Sequence, residues 1–377
     1  MRIALVTNFF PEPMNGTERH CWELAERLHK RGHEVEVFFM PMNPRPHLQV
    51  RPLPGVKVNY FPNSLGKLEA PFEIQRLRRA LKQFKPDVVS AHNLKMGYVS
   101  ALAMSRKVPI VNSIHLAEDS RKRIHRKLLK TPFRIFSKPL LKRMTFIGVS
   151  REIAEHTMRD LHTDNVYLIP DWTWVSDYLS KANGKVVRKH FPKNAFIFLT
   201  IARIAQEKGW TYLMDAAEKV CKKYKNAYFA AVGDGDKMQE YEQLARDKGL
   251  ENRFKFLGRF NSNEQIAGAY KGADAIILPA PMDYLFTLME SVASGKPVIA
   301  TAMTSTKEVL TDEKDALLVE PKSAESIEQA AMRIISQPKL RSRLVKSMRL
   351  TAKRFDPDLC ISQIEHVFEE AVQKAKN

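Results

Sequence analysis

Short apolar runs alternate with helical patterns along this chain, and this alternation constrains its fold more than any other feature. The run from Phe196 to Ile201 is nearly continuous in apolar residues, which is typical of a strand buried on both faces of a parallel sheet. The apolar residues that follow, from Trp210 to Val220, recur at helical spacing. Repeated along a chain, such pairs favour a parallel sheet with helices on both faces.

The alternation occurs in two series, which predicts two domains. We predict strands beginning near residues 2, 34, 56, 87, 109, 145 and 166, and again near 195, 227, 254, 273 and 297. Polar residues interrupt the pattern over 180–193, and we interpret this stretch as the hinge. A length of 377 residues also exceeds what one hydrophobic core usually serves. The predicted domains are 1–180 and 181–355, with a terminal helix over 356–377 that packs toward the N-terminal domain.

The chain is strongly basic, with a formal net charge of +19. The segment from Arg121 to Arg143 contains ten Lys and Arg and no acidic residue, with apolar residues interleaved. Such a segment can lie on an anionic membrane surface, or it can be a solvated helical face that happens to be basic. Nucleic acid would also attract this charge, but no nucleic-acid motif accompanies it, so nucleic acid is the least favoured partner.

Composition and cysteine usage predict a cytoplasmic protein. No apolar run approaches the roughly 18 residues that a membrane span needs, and the N-terminus has the pattern of a first strand rather than of a signal peptide. The three cysteines have no metal-binding or redox spacing. We therefore expect a cytoplasmic location, with peripheral association at the inner face of the cell membrane if the basic segment binds lipid.

Two cations follow the strand that ends at Ile201. Arg203 and Lys208 lie in the loop or first turn after its carboxyl end, where open parallel sheets bind their ligands. The spacing suggests a clamp for phosphate, although two surface cations without a role would give the same pattern.

A second candidate region follows the strand that ends near Pro279. A helix predicted from Leu285 to Ser294 would place the backbone amides of Phe286, Thr287 and Leu288 at its N-terminus, which favours phosphate. Glu290 lies about one turn further on, where an ionised carboxylate could accept hydrogen bonds from a vicinal diol such as ribose. Taken alone, this segment is equally an ordinary amphipathic helix with an exposed Glu.

Taken together, these motifs resemble the retaining glycosyltransferases of family 4, also called glycosyl transferases group 1. The resemblance covers nearly the whole chain, and its order and spacing are clearest in the second half. The matching motifs are Pro11–Arg19, Leu28-x3-Gly32-His33-Glu34-Val35, His92-Asn93, Ile114-His115, Arg203-x4-Lys208-Gly209, Val232-Gly233-Asp234-Gly235, Phe256-Leu257-Gly258 and Glu290 with Ala293-x-Gly295-x-Pro297-Val298.

The resemblance implies an α/β protein of GT-B fold, with two Rossmann-like doubly wound domains facing a central cleft. In that family the second domain holds most of the nucleotide sugar. Arg203 and Lys208 would bind the diphosphate, and Glu290 the ribose hydroxyls. Gly233 belongs to the glycine turn of the site, while Gly258 and Arg259 would lie by the base through backbone contacts.

Two residues of the first domain also receive roles from the resemblance. Gly16 would let the backbone approach phosphate or acceptor, since it has no Cβ. His115 would face the donor sugar near the reacting carbon. The family's retention of configuration is commonly explained by front-face attack, with the leaving phosphate accepting the proton of the acceptor hydroxyl. Neither a cofactor nor a metal is then required, and we interpret Asp234-Gly235-Asp236 as a turn rather than a metal site.

The chain departs from the family at several positions. The family's first glutamate, eight residues before Glu290, is here Met282, and the neighbouring Asp283 could replace it after a one-residue loop shift. Asn15-Gly16 replaces Gly-Gly, and Asp171-Trp172 replaces Asn-Gly.

The sequence therefore predicts a transferase that moves a sugar from a UDP- or GDP-sugar to a lipid-linked or other anionic acceptor, in glycan or glycolipid biosynthesis. Two alternatives stay open. A non-catalytic nucleotide-sugar-binding partner subunit would fit Met282, and a sugar-nucleotide epimerase would share the fold.

Overall fold

The chain divides into two compact units. The first comprises Met1–Asp171 and Asp358–Asn377, and the second comprises Trp172–Pro357. The computed structural model describes residues 1–8, 16–41, 53–61, 70–115, 139–282 and 285–376, with the backbone alone for 16–18, 70–71 and 285. Residues 11–15 of the Pro11–Arg19 motif, the basic segment up to residue 138 and Asp283 lie outside the described residues.

The first unit is built on one parallel sheet, as the alternation predicts. Its strands are β1 (Arg2–Thr7), β2 (Glu34–Phe39), β3 (Lys57–Tyr60), β4 (Val88–His92), β5 (Ile110–Ile114), β6 (Met144–Gly148) and β7 (Val166–Leu168). Its first helices are α1 (Gly16–Lys30), α2 (Ala70–Phe84), α3 (Leu94–Ala103) and α4 (Arg151–Leu161). The sheet order is β3-β2-β1-β4-β5-β6-β7, so the strand order reverses between β1 and β4.

This reversal determines which residues meet at the carboxyl edge of the first sheet. Thr7 at the end of β1 pairs in register with His92 at the end of β4, and His92 pairs with Ser113 of β5. The residues that follow these strands therefore lie side by side, at the place where doubly wound sheets bind ligands.

The second unit contains a second parallel sheet. Its strands are β8 (Phe196–Ile201), β9 (Ala227–Val232), β10 (Phe254–Phe256), β11 (Ala275–Leu278), β12 (Val298–Thr301) and β13 (Leu317–Val319). Its helices are α5 (Val175–Leu179), α6 (Lys185–Arg188), α7 (Trp210–Lys223), α8 (Met238–Asp247), α9 (Asn263–Gly272), α10 (Leu285–Ala293), α11 (Thr304–Val309), α12 (Ala324–Ser336) and α13 (Pro338–Ala352). The sheet order is β10-β9-β8-β11-β12-β13, and the order reverses between β8 and β11.

Alternate residues of β8 belong to two separate hydrophobic clusters. Phe198 packs in one cluster with Phe229 and Trp210. Ile197 and Leu199 pack in the other, on the opposite face of the sheet. Both faces are therefore covered, which explains why the strand is almost continuously apolar in the sequence.

The prediction of a hinge over residues 180–193 is wrong, because this segment is packed into the second unit. It contributes α6, and Val187 is fully buried in the core. A Cβ on Gly184 would lie 3.0 Å from the Cα of Gly272, so α6 packs closely against α9. The guanidinium of Arg188 donates to Asp274 at 2.6 Å. A glycine and an arginine make these contacts, so the packing leaves no apolar pattern in the sequence. The boundary between the units lies at Asp171.

The last helix, α14 (Pro357–Lys376), belongs almost entirely to the first unit. Glu365 accepts hydrogen bonds from Arg31 at 2.8 Å and lies 2.9 Å from Nε2 of His33. Tyr167 donates to Glu370 further along the helix. These contacts fix α14 against the residues just before β2 and against β7. None of the helices within the described ranges is both long and apolar enough to cross a membrane.

Candidate functional site

The loop after β8 carries Arg203 and Lys208. The indole of Trp210, which is fully buried, donates to the backbone carbonyl of Arg203 at 3.0 Å. The Lys208 amide donates to Ala205 at 3.0 Å and closes a short 3-10 turn over Gln206–Lys208. A buried side chain and a hydrogen-bonded turn therefore position both cations on the carboxyl side of β8.

The two cations differ in their surroundings. The Arg203 side chain is 61% exposed and pairs with Glu207 one helical turn later. Burial lowers the pKa of Lys208, the charge of Glu207 opposes this shift, and the charge of Arg203 adds to it. Such a pair favours an anion with more than one negative charge.

Lys208 also contacts the position at which this chain departs from the family. Its ammonium nitrogen lies 3.5 Å from the sulfur of Met282, in the loop after β11. A thioether is only a weak acceptor, whereas a carboxylate at this position would pair with the lysine. At position 282 the chain therefore offers Lys208 a thioether instead of the carboxylate that the family places there.

Glycine brings this loop close to the end of β11. Gly209 has φ 76°, and a Cβ there would lie 2.3 Å from the carbonyl oxygen of Pro279. A residue with a side chain could not occupy this position without moving one of the two loops. Gly209 thus holds Lys208 beside the segment that leads into α10.

Glycine turns also join the ends of β8, β9 and β10. Gly233 has φ 149°, and a Cβ there would lie 1.9 Å from the carbonyl oxygen of Ala202. Its amide donates to Gly258 at 3.0 Å, and Gly258 has φ 70°. Arg259 is exposed beside this turn. The three loops form one backbone surface with few side chains, which suits close approach by a flat ligand.

The helix α10 begins at Leu285, where the sequence predicts it. Leu288 is buried in the core, while Phe286 and Thr287 are partly exposed. The first amides of an α-helix have no partner within the helix, so the start of α10 is a place where an anion can bind.

Glu290 is held by a tyrosine that the sequence does not reveal as a site residue. The hydroxyl of Tyr270 donates to Glu290 at 3.0 Å, and the Tyr270 side chain is fully buried. Burial, followed by the charge of Glu290, raises the pKa of Tyr270 well above its ordinary value. The tyrosine therefore stays protonated and orients the carboxylate.

At the edge of the first sheet, two asparagines join β1 to β4. Asn93 follows β4 with φ 82°, a conformation that few residues other than glycine adopt. Its side-chain oxygen accepts from the amide of Met96 at 3.0 Å and caps α3, which therefore begins at Leu94. Its amide nitrogen donates to Asn8.

Beside these asparagines lies a buried group of three histidines and one aspartate, which we call the histidine cluster: His20, His92, His115 and Asp171. His115 follows β5, and its side chain is only 2% exposed. Its Nε2 lies 3.1 Å from Nδ1 of His92, and its Nδ1 lies 3.5 Å from Asp171. His20, on α1, lies 2.9 Å from the same carboxylate. In this conformation both ring nitrogens of His115 face protein groups.

Burial dominates the electrostatics of the histidine cluster. It lowers the pKa of His92, and the neighbouring His115 and His20 add to this shift. It also lowers the pKa of His20, although Asp171 opposes the change. Burial alone would raise the pKa of Asp171. The contacts with His20 and His115 lower this pKa by more than burial raises it, so the carboxyl is ionised. The group is therefore a buried carboxylate in contact with the imidazoles of His20 and His115.

Sequence reasoning identified His115 but not its partners His20 and Asp171. Asp171 differs from the family's asparagine, and that departure is the signal that could have marked it. His20 has no local signal, since its partners lie far away in the chain. Gly16 is the first residue of α1, and its role stays a prediction.

Two family models match the chain. The model described as Glycosyl transferases group 1 matches residues 185–351, and the model described as Glycosyltransferase Family 4 matches residues 14–172. Together they cover most of both units. The chain belongs to these glycosyltransferases. The order of the two matches agrees with the order of the two units, and the predicted resemblance is confirmed.

Known proteins resemble this glycosyltransferase along nearly its whole length. Phosphatidyl-myo-inositol mannosyltransferase of Mycobacterium tuberculosis is 26% identical over 382 residues, covering 98% of this chain and 97% of that protein. A glycosyltransferase structure from Rickettsia africae superposes with a TM-score of 0.79 at 20% identity, covering 98% of each chain. Anabaena Alr3699/HepE, solved in complex with UDP and glucose, superposes with a TM-score of 0.73 at 18% identity, covering 98% of this chain and 100% of that one. The GT-B fold is confirmed.

Proposed function

We propose that this glycosyltransferase moves a sugar from a UDP- or GDP-sugar to a lipid-linked or other anionic acceptor, with retention of configuration. The observation that supports this most is the pair Arg203 and Lys208, held by Gly209 beside the loop that leads into α10. A donor diphosphate at this pair would meet two cations and the free amides of a helix N-terminus.

The chemistry of the donor explains why such a site would accelerate transfer. When the bond between the sugar and the diphosphate breaks, negative charge develops on the departing phosphate. Fixed cations and amide dipoles stabilise that charge most where water is excluded. Lys208 is suited to this role because it is partly buried, so its charge is less screened than that of a surface lysine.

The rest of the donor has partners in the same unit. Glu290, oriented by Tyr270, would accept hydrogen bonds from the ribose hydroxyls. The backbone at Gly258 and Arg259 would contact the base, and the Gly233 turn leaves room for close approach. The roles of Gly16 and His115 toward acceptor and donor sugar follow from the family resemblance and are part of this proposal.

In the proposed reaction the acceptor oxygen bonds to the anomeric carbon on the face that the diphosphate leaves. The hydroxyl proton passes to an oxygen of the leaving diphosphate. The proposal needs no metal ion, because Arg203 and Lys208 would neutralise the charge on the leaving group.

Two observations support an acceptor at a membrane surface. The mycobacterial relative is by its name a mannosyltransferase acting on phosphatidyl-myo-inositol. The basic segment from Arg121 to Arg143 would attract anionic lipid headgroups. We therefore place the enzyme at the cytoplasmic face of the cell membrane, in glycolipid or glycan biosynthesis.

A panel of UDP- and GDP-sugars tests this function. Thermal shift identifies a nucleotide that binds, because a ligand of the folded state raises its stability. Hydrolysis and transfer assays with lipid acceptors then test catalysis, with analysis of the anomeric configuration of the product. Binding without hydrolysis or transfer across the whole panel would contradict the proposal.

Met282 favours a second candidate function, a nucleotide-sugar-binding subunit without activity. Replacing Met282 by Glu restores the family's carboxylate beside Lys208. If the natural chain is inert and Met282→Glu gains no activity, the non-catalytic function is supported. Transfer by the natural chain would exclude it.

A further inference from the structure

The helix α13 of the second unit carries a concentration of positive charge that the proposed donor site does not use. Residues 338–355 contain seven Lys and Arg and no acidic residue. The preceding helix, α12, has Glu325 and Glu328 as well as Arg333. The excess of positive charge therefore belongs to α13 and the turn after it, rather than to this part of the chain in general.

The charge is confined to one side of α13, because the other side packs into the core of the second unit. Leu340, Leu344 and Met348 are buried at spacings of four residues. Side chains three, four or seven residues apart share one face of a helix. The exposed residues on the opposite side, which we call the basic face, are Lys339, Ser342, Arg343, Lys346, Arg349 and Leu350, with Lys353 in the 3-10 turn that follows. At a rise of about 1.5 Å per residue, the basic face is about 20 Å long.

The cations of the basic face have little acidic compensation. Arg343 lies 3.8 Å from Glu313, and that carboxylate already pairs with Arg333 at 2.5 Å. Within the part of the chain that the structure describes, no carboxylate forms an ion pair with the other four cations, Lys339, Lys346, Arg349 and Lys353. Their charge is therefore available to an anionic surface outside the protein.

Leu350 adds an apolar side chain to the basic face. It is 63% exposed and lies beside Arg349, one helical turn after Lys346. At a bilayer, cations bind anionic headgroups, while an apolar side chain can enter the boundary between headgroups and acyl chains. Surfaces that bind single-stranded nucleic acid usually add aromatic side chains on which bases stack, and the basic face has none. This composition favours lipid over nucleic acid.

We propose that the basic face of α13 binds the headgroups of anionic phospholipids, with Leu350 entering the lipid. Each Lys or Arg close to an anionic bilayer strengthens binding about five-fold, so the cations of the basic face together hold the protein at the membrane. This surface belongs to the second unit and acts in addition to the basic segment 121–143, to which the proposed function assigns lipid binding.

Vesicle flotation of the full-length protein tests this surface. The probes are vesicles of phosphatidylcholine alone and of an equimolar mixture of phosphatidylcholine and phosphatidylglycerol. We expect the combined substitution Lys339→Gln, Lys346→Gln and Arg349→Gln to weaken binding to the mixed vesicles by about 10- to 100-fold. Glutamine is a good helix former, so these exposed substitutions keep α13 intact.

The matched control removes the same charge from other helices of the second unit, where each cation has an acidic partner. It combines Lys219→Gln, Lys222→Gln and Lys237→Gln, which remove the partners of Glu328, Glu218 and Glu240. We expect this variant to lose less than about five-fold in binding to the mixed vesicles. Thermal unfolding of each variant shows whether the substitutions leave the fold intact.

Leu350→Ser separates a lipid partner from other polyanions. We expect it to weaken binding to the mixed vesicles about five-fold, because part of the apolar transfer is lost, and to leave binding to heparin unchanged. Vesicle binding as tight as that of the natural chain would show that Leu350 does not enter the lipid and would contradict the proposal.

Three further results would overturn the proposal. One is a natural chain that binds the mixed vesicles no better than phosphatidylcholine alone. Another is an equal loss in the two triple variants, which would mean that net charge rather than α13 governs binding. The third is an α13 variant that loses heparin binding but keeps vesicle binding, which would assign the basic face to a nucleic acid or an acidic protein. Because the readout is lipid binding, the outcome is independent of the transferase activity.

Discussion

The carboxyl edges of the two sheets carry different chemistry on the same topology. Both sheets reverse their strand order, between β1 and β4 in the first unit and between β8 and β11 in the second. The edge of the second sheet presents Arg203, with 61% of its side chain exposed, and the partly buried Lys208. The edge of the first presents buried imidazoles, with His92 at 0% exposure.

This difference shows that topology determines where ligand-binding residues gather, while the side chains determine what they can bind. Cations, glycine turns and free helix amides suit a diphosphate. A buried carboxylate among imidazoles would repel an anion. The proposed function places the nucleotide on the second unit, and the comparison makes the following predictions.

Removing the charge of Lys208 should have the largest effect. We expect Lys208→Ala to raise the barrier to transfer by about 2–4 kcal/mol, because the diphosphate loses a charged partner in the transition state. The measurement is kcat and KM with the identified donor. Lys222→Ala is the control, since Lys222 pairs with Glu218 on the surface of α7. Equal loss in both variants would mean that net charge, rather than this position, matters.

Gly209→Ala should destabilise the second unit more than Gly249→Ala. Both glycines have positive φ, 76° and 66°, so each substitution costs about 1–2 kcal/mol of backbone strain. Only at Gly209 would the new Cβ meet another group, the carbonyl oxygen of Pro279 at 2.3 Å. We expect an extra loss of about 1–3 kcal/mol from this clash, measured by urea unfolding of the two variants. Identical midpoints would contradict the close approach of the two loops.

Glu290→Gln should weaken binding of a ribonucleoside diphosphate by about 1 kcal/mol, since a neutral amide accepts hydrogen bonds less strongly than a carboxylate. Gln keeps an acceptor for the buried hydroxyl of Tyr270. Calorimetric titration with the matching 2′,3′-dideoxynucleoside diphosphate provides the control, because that ligand has no diol. A similar loss with both ligands would show that Glu290 does not bind the ribose.

Alkaline pH should weaken diphosphate binding by a smaller factor. Burial lowers the pKa of Lys208, so the free protein loses this charge at a lower pH than an ordinary lysine, whose pKa is about 10.4. Affinity is therefore complete while Lys208 is protonated and falls as pH rises through its lowered pKa. Lys208→Arg stays charged and should lose less affinity at high pH. The ligand ionises in the same way with both proteins, so the difference between the two pH profiles reports the ionisation of Lys208. Parallel pH profiles would exclude Lys208 as the titrating group.

Much of the fold can be predicted from the sequence, because strands buried on both faces have continuous apolar runs. β8 and β9 begin within one residue of their predicted positions, and the doubly wound class is confirmed. β13 was not predicted, since Leu317–Val319 is too short to stand out. α6 was not predicted, because 180–193 is mostly polar and few side chains of the helix are buried in the core.

Only part of the candidate sites can be predicted. Arg203, Lys208 and Glu290 follow strands or helix starts, so local sequence reveals them. Tyr270 and Glu290 are on different helices, and His20 meets Asp171 only because the strand ends converge. Contacts between residues so distant in sequence leave no periodic pattern, and only the folded sheet brings them together.

Hydrogen–deuterium exchange on adding UDP or GDP tests the division between the two edges most directly. We predict protection of the amides in 202–209, 233–235 and 285–290, because the nucleotide would bind the loops after β8 and β9 and the start of α10. The segments 92–93 and 113–115 should exchange at unchanged rates. Protection confined to these first-unit segments, with none in the second unit, would contradict the account.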